Sequence, residues 1–517
     1  MRRRNFIKNT VLGALTPTFL NNQNLWAKGN IDQKLLENDN VLVVIQLNGG
    51  NDGLNTVIPI NQYSNYKNAR SNIALAENKI LKVPQSELIR LHPSLKNLAA
   101  LMNDGKGNIV QDVGYPNPNF SHFRATDIWH TASSSTEVLE SGWAGRLLAL
   151  DHPNFPEGYP SVKYPHPLTI QIGSVVSTAL QGPLYSMGMS ISDITNFYNL
   201  IENADEPVPK TLAGKELEYL RRVSKQTNKY SETIKAAALK VSQQKEYPNL
   251  SLAAQLKIVA RLIAGGLKTK IYYVRLGGFD THSDQVVASD TSTGSHATLM
   301  ANLGDSIKAF QDDLKFLGVA DRVLGMTYSE FGRRIKSTAS LGTDHGVAAP
   351  MFFFGEKVNP SYFGKPTTIA ASVGNNENIP MQHDFRAVYA SIMKYWFCSN
   401  SVEMKSVLFQ DFDTIPLVTG SVCGYVTSIE PELTNARLKV YPNPVQDILN
   451  LRFISEGGQN SIQLLDMKGT EVIPEIDEEM EAGSQEITLN VSHLNSGIYL
   501  ARFRNNDYQE VVRVLKK

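Results

Sequence analysis

The chain has 517 residues, 42% hydrophobic and 19% charged, which is enough for a sizeable core and too long for one ordinary domain. Lys+Arg and Asp+Glu both number 50, and a formal net charge of zero lacks the basic excess that marks nucleic-acid binding. Cys398 and Cys423 are too few for a disulfide framework, although one bridge is compatible with the sequence, and no apolar run is long enough for a mature membrane-spanning helix.

At the start, Arg3-Arg4-Asn5-Phe6-Ile7-Lys8 has the twin-arginine export pattern and is followed by the weakly apolar VLGALTPTFL. An ordinary secretory signal is the alternative, and either reading sets residues 1–29 apart from the fold. NVLVVIQL, 40–47, is apolar without alternation, which predicts a parallel strand buried on both faces. It leads into Asn48-Gly49-Gly50-Asn51-Asp52-Gly53, whose glycines permit close backbone approach or a positive φ. A plain Asn/Gly turn would look the same.

Residues 93–103 read as a helix and NIVQDVGY, 108–115, as a second strand. The rigid loop Pro116-Asn117-Pro118-Asn119-Phe120 then precedes Ser121, a good helix N-cap. Most serines so placed only cap, yet helix amides also favour an anion there, so a nucleophile is the second reading. Residues 151–206 are rich in Pro and Gly, with one strand expected at 168–173, and read as long loops over the active face. Helices are expected at 213–244 and 251–266, before the strand KIYYVRL.

That strand ends in Asp280-Thr281-His282, whose spacing puts a carboxylate and an imidazole on one side of an extended backbone. Such a pair suits Zn²⁺ or Mn²⁺, and a salt-bridged loop pair is the plainer explanation. The helix expected over 296–317 carries His296 in a structural role. The strand VLGMTY, 323–328, runs into Ser329, Glu330, Arg333 and Arg334, then Asp344 and His345. In open α/β sheets function collects past the carboxyl ends of strands, so these three strand-loop units are expected to share one site. APMFFFG, 349–355, is a further buried strand, and Asp384 is expected to cap the helix that follows. From Leu438 onward, period-2 segments with turns about every ten residues predict a small β-sandwich.

Tyr441-Pro442-Asn443-Pro444, Leu449 to Phe453, IQLLDMKGTEV and Leu494-Asn495-Ser496-Gly497-Ile498-Tyr499 resemble the C-terminal sorting domain of the type IX secretion system of Bacteroidota. This implies engagement of that machinery and export through the periplasm to the cell surface or beyond. The body, through LNGGNDGLN, NPNFSHFRATDIWHTA, GWAGRLL, GGFDTHSDQ, SEFGRR and GTDHG, resembles the domain-of-unknown-function 1501 family, related to the alkaline phosphatase/sulfatase superfamily. The expected organisation is an export signal (1–29), an α/β domain with a largely parallel sheet flanked by helices (30–424), a linker (425–437) and a sorting β-sandwich (438–517).

The resemblance implies a metal site at the carboxyl edge of the sheet. Asp52 matches the first-strand aspartate, Ser121 the nucleophile, and Asp280 with His282 an Asp/His pair of shorter spacing than usual. Asp344-His345 matches the later Asp-His dipeptide; alternatively Ser329-Glu330 holds that place and His345 is a final lone histidine. The implied metal ligands are Asp52, Asp280, His282, Glu330, Asp344 and His345, around divalent Zn, Mn or Ca. Arg124, or Arg333 with Arg334, would clamp the anion. The implied activity is hydrolysis of phosphate or sulfate esters, on a small anionic ester or a sulfated or phosphorylated glycan. The alternative is a non-catalytic secreted binding or scaffold protein on a degenerate hydrolase fold, since the sulfatase Cys-x-Pro-x-Arg signature is missing. A Ser-His-Asp hydrolase is weaker still, because no G-x-S-x-G elbow is present.

Overall fold

The computed structural model describes residues 38–192, 230–242, 244–419, 423, 437–505 and 508–517. The export segment and all of the expected linker but Arg437 lie outside the described residues. So does most of the segment 213–244 expected to be helical, of which residues 230–239 are helix.

Among the described residues the frame is a nine-stranded sheet. Its first strand, β1 (Val41–Asn48), precedes a small antiparallel pair, β2 (Val57–Pro59) and β3 (Ile89–Leu91). The sheet continues with β4 (Gly107–Gly114), β5 (Thr169–Ile172), β6 (Gly188–Ile191), β7 (Ile271–Gly277) and β8 (Val323–Tyr328). A two-stranded hairpin, β9 (Gly332–Arg333) with β10 (His345–Gly346), then leads back into the sheet through β11 (Ala349–Phe354), β12 (Tyr362–Phe363) and β13 (His383–Asp384). The spatial order is β12-β4-β11-β8-β1-β7-β5-β6, with β13 also on β4. β11 is antiparallel to both neighbours, and the other pairings are parallel.

The unbroken apolar run of β1 has the cause its sequence suggested. Leu42 and Val44 enter one core while Val41, Val43, Ile45 and Leu47 enter another on the opposite face. Helices Lys96–Asn103, Ser251–Ala264 and Ser295–Phe316 cover the second face. Helices His122–Thr131, Trp143–Asp151, Phe385–Tyr395 and Ser401–Leu408 cover the first. Asp384 caps its helix by accepting from the Arg386 amide, as expected. The described part of 151–206 holds β5 and β6, and its Ser177–Met187 stretch packs by helix Trp143–Asp151.

Past residue 437 the chain forms a sandwich. One sheet is β14 (Leu438–Tyr441), β15 (Ile448–Ser455) and β18 (Gly483–Asn490). The other is β17 (Glu471–Met480), β16 (Gly458–Leu465), β19 (Gly497–Asn505) and β20 (Tyr508–Lys516). Cys398 and Cys423 are bonded to each other, a pairing the sequence left open.

Candidate metal centre

β8, β1 and β7 are neighbours running in parallel, so their carboxyl ends lie side by side, about 4.8 Å apart per step. The three loops leaving them meet. Gly49 takes φ +125°, and a Cβ there would sit 2.3 Å from the Asp280 amide nitrogen, so only glycine lets the first and second loops touch. Buried Arg333 stitches all three. Its Nε donates to Gly50 O at 2.8 Å, its Nη1 to Thr343 O at 2.7 Å, and its Nη2 to Gly49 O, to Phe279 O and to Asp280 Oδ1.

The fourth contribution comes from β4. Tyr115 fixes the loop after it by bonding the Asn119 amide at 3.1 Å, and helix His122–Thr131 starts at the same sheet edge. Trp129 anchors that helix under the site, donating from Nε1 to Glu330 O at 2.9 Å and stacking on Tyr328. His122 is thereby placed opposite Asp280.

Three imidazoles and one carboxylate converge there. Asp280 Oδ1 lies 3.0 Å from His345 Nε2 and 3.1 Å from His282 Nε2, and its Oδ2 lies 3.4 Å from His122 Nε2. His282 Nε2 and His345 Nε2 are 2.9 Å apart. The other nitrogen of each ring faces an oxygen that can only accept. His122 Nδ1 is 3.0 Å from Glu330 Oε1, His345 Nδ1 is 2.9 Å from Phe120 O, and His282 Nδ1 is 3.2 Å from Asp344 Oδ1. A neutral ring that carries its proton on Nδ1 turns an Nε2 lone pair toward Asp280. Without a cation a proton must lie between nitrogen and carboxylate, as in the His345 bond to Asp280, and a cation would take the place of such protons. Ligand atoms of His122, Asp280 and His345 all lie within 4.8 Å of one another. Tetrahedral bonds of about 2.0–2.1 Å put ligand atoms roughly 3.3 Å apart, so the donor set fits a cation.

Burial raises the Asp280 carboxyl pKa, but hydrogen bonds from His345 and Arg333 outweigh it and hold the value down at about 2. His345 is shifted down by burial, partly opposed by its bond to Asp280. Asp280 is thus held as the carboxylate and His345 favoured as the free base, the forms a metal takes.

The expected site residues separate into groups. Asp280, His282 and His345 come together. Glu330 is fully buried behind His122, 3.0 Å from its Nδ1, and also accepts from the Gly49 amide at 2.8 Å. Asp344 stands behind His282 in the same way. Asp52 has partners of its own: its buried carboxylate takes Arg70 Nη1 at 2.7 and 2.6 Å, and Gln285. Burial pushes the Asp52 pKa up, and the Arg70 guanidinium brings it below the ordinary value. Arg124 is bonded to Asp127 and to the carbonyls of Ser134, Ser135 and Glu137, and Arg333 is held by backbone, so neither is arranged as a free anion clamp. Arg334 reaches His345 O at 3.2 Å and Asn376. Ser121 is exposed at the helix N-cap, and its side chain makes no capping bond. His122 was not among the expected ligands; the available signal was an imidazole in the first turn of a helix entered from a strand of the same sheet.

The largely parallel sheet with a His/Asp cluster at its carboxyl edge defines an α/β protein with a candidate metal centre, and the C-terminal sandwich is a second unit. The chain belongs to the family described as "Protein of unknown function (DUF1501)", whose model matches residues 111–386. Residues 439–517 match the secretion system C-terminal sorting domain, which indicates export. No curated protein matches the chain. Among solved structures, an alkaline phosphatase superfamily protein from Vibrio parahaemolyticus is similar at 8% identity, with 90% of this chain and 86% of that one covered and a TM-score of 0.33. The PsFucS1 sulfatase from Pseudoalteromonas sp. is similar at 10% identity, with 89% and 88% covered and a TM-score of 0.31. Likenesses that remote carry no weight for the chemistry.

Proposed function

We propose that the chain is an exported metal-dependent hydrolase of phosphate or sulfate esters, with one divalent cation that would be held by His122, Asp280 and His345, and with His282, 2.9 Å from His345, as a further ligand. The observation that carries this is the geometry: three rings whose Nδ1 atoms each face an acceptor oxygen and whose Nε2 atoms meet at one carboxylate. Three imidazoles with one carboxylate suit zinc or manganese, whereas calcium takes oxygen ligands. Such a cation, when bound, favours ionisation of a nearby hydroxyl or water and draws charge from the oxygens of the ester.

Ser121 is the nucleophile in this reading. It stands between Phe120, whose carbonyl holds His345, and His122, at the start of a ten-residue helix whose dipole favours an anion. Glu330 and Asp344 hold the imidazoles from behind, and buried Arg333 helps to keep Asp280 ionised. The substrate is a small anionic ester or a sulfated or phosphorylated glycan. Purified protein should contain about one equivalent of zinc or manganese and hydrolyse aryl phosphates or sulfates. Ser121→Ala should retain the metal and lose at least about 100-fold in turnover.

The second reading is a secreted binding protein on the same fold. The bonding of Arg124 and Arg333 and the pairing of Asp52 with Arg70 favour it, because neither expected clamp has its guanidinium free for the anion. Metal-loaded protein with no turnover on either ester class would decide for that reading.

A further inference from the structure

The sandwich has its own core, with Leu449, Leu451 and Phe453 facing Leu464, Ala501 and Phe503. In such a sandwich the outer face of each sheet normally meets water and reads polar. The four-stranded sheet departs from this. On β19, Tyr499, Ala501 and Phe503 point into the sandwich, and the alternate residues Ile498 and Leu500 are also buried. Ile498, Leu500, Leu465, Met467 and Val511 belong to the core of the large α/β domain, not to that of the sandwich. A sheet apolar on both faces requires a cover, and helix Ser401–Leu408 lies against β19.

Polar contacts ring that apolar patch. The Val511 amide donates to Asn154 Oδ1 at 2.9 Å, Arg513 Nη1 to Leu150 O at 2.8 Å, and Tyr185 OH to Gln509 Oε1 at 2.8 Å. Gly469 passes so close to Pro183 O that a Cβ would lie 2.4 Å away. Lys468 pairs with the Glu137 carboxylate and lies 4.8 Å from the Phe409 ring centre. Glu137 faces two ways, for its carbonyl accepts from Arg124 on the helix that carries His122.

We propose that the sorting domain is a docked part of the folded chain and not a tethered passenger. The outer face of its four-stranded sheet is an interaction surface for the α/β domain, and its docking holds residues 132–142, the segment that supplies the carbonyl acceptors of Arg124. Recognition by export machinery then falls to other faces of the sandwich while the chain is intact. Release of the tail uncovers the apolar face beside helix Ser401–Leu408 and loosens the segment behind the site helix.

Hydrogen exchange on the full chain tests this. Met467→Glu puts a charge into the shared patch without touching the sandwich's own core. Exchange should rise at least tenfold over 137–146 and 178–187, while β1 and β15 keep their protection. Unchanged protection over 137–146 would overturn the proposal. If β1 and β15 lose protection as well, Lys468→Glu alone and with Glu137→Lys replaces that test. The single change should speed exchange over 132–142 about threefold and the charge swap should restore it. No effect of the single change, or no recovery in the pair, would overturn the docking.

Discussion

The three imidazoles of the centre differ in what stands behind them, and that difference predicts how each fails. Glu330 is fully buried against His122, whereas Asp344 is exposed behind His282. Glu330→Gln keeps the shape but removes the charge that makes His122 a strong ligand. Zinc affinity should fall 10- to 100-fold in a chelator competition, with little change in melting temperature. Asp344→Asn should cost less, because solvent screens the pair. Arg70 tests the placement of Asp52. Arg70→Met leaves a buried carboxylate unpaired and should destabilise by about 3–5 kcal/mol in urea unfolding. Metal content per folded chain should stay constant, and a second equivalent of metal in that variant would show that Asp52 is a ligand.

At the scale of elements, the site exists because adjacent parallel strands deliver loops to one edge. β1, β7 and β8 supply backbone contacts, Asp280 and Glu330, the β9–β10 hairpin turns His345 inward, and the helix after β4 adds His122. Gly49 closes the first loop against Asp280 of the second. Gly49→Ala introduces both strain at positive φ and a clash with backbone, so it should cost more than about 1 kcal/mol. It should also lower metal stoichiometry before the fold is lost, as seen by comparing metal content with far-ultraviolet circular dichroism. Retained stoichiometry would mean that the loops are not held by that contact.

For the whole molecule, buried histidines away from the centre set the response to acid. Burial holds His92, His130 and His152 down at about 3 and His296 at about 4. These folded values lie below the unfolded 6.5, so their contribution is present above that pH and is lost as pH falls toward 3. Each histidine adds up to about 1.4 kcal/mol per pH unit to the slope. The melting temperature should therefore fall steeply between pH 6.5 and 4, and a flat profile would contradict the burial of these rings. The Cys398–Cys423 bond suits an oxidising compartment, in keeping with export through the sorting domain.

Much of the fold was legible because burial leaves its period in the sequence. The two-faced run of β1, the apolar VLGMTY of β8 and the alternation of β15 each have one structural solution. The edge on which function gathers followed from strand direction, so Asp280, His282 and His345 could be picked out together. What only the tertiary structure decided was which polar group answers which. Arg70 lies eighteen positions from Asp52 and claims it, and Glu330 and Asp344 stand behind rings. His122 beside Ser121 faces inward because Trp129 fixes the helix. A side chain's partner depends on distances across the fold, and linear spacing records only distances along the chain.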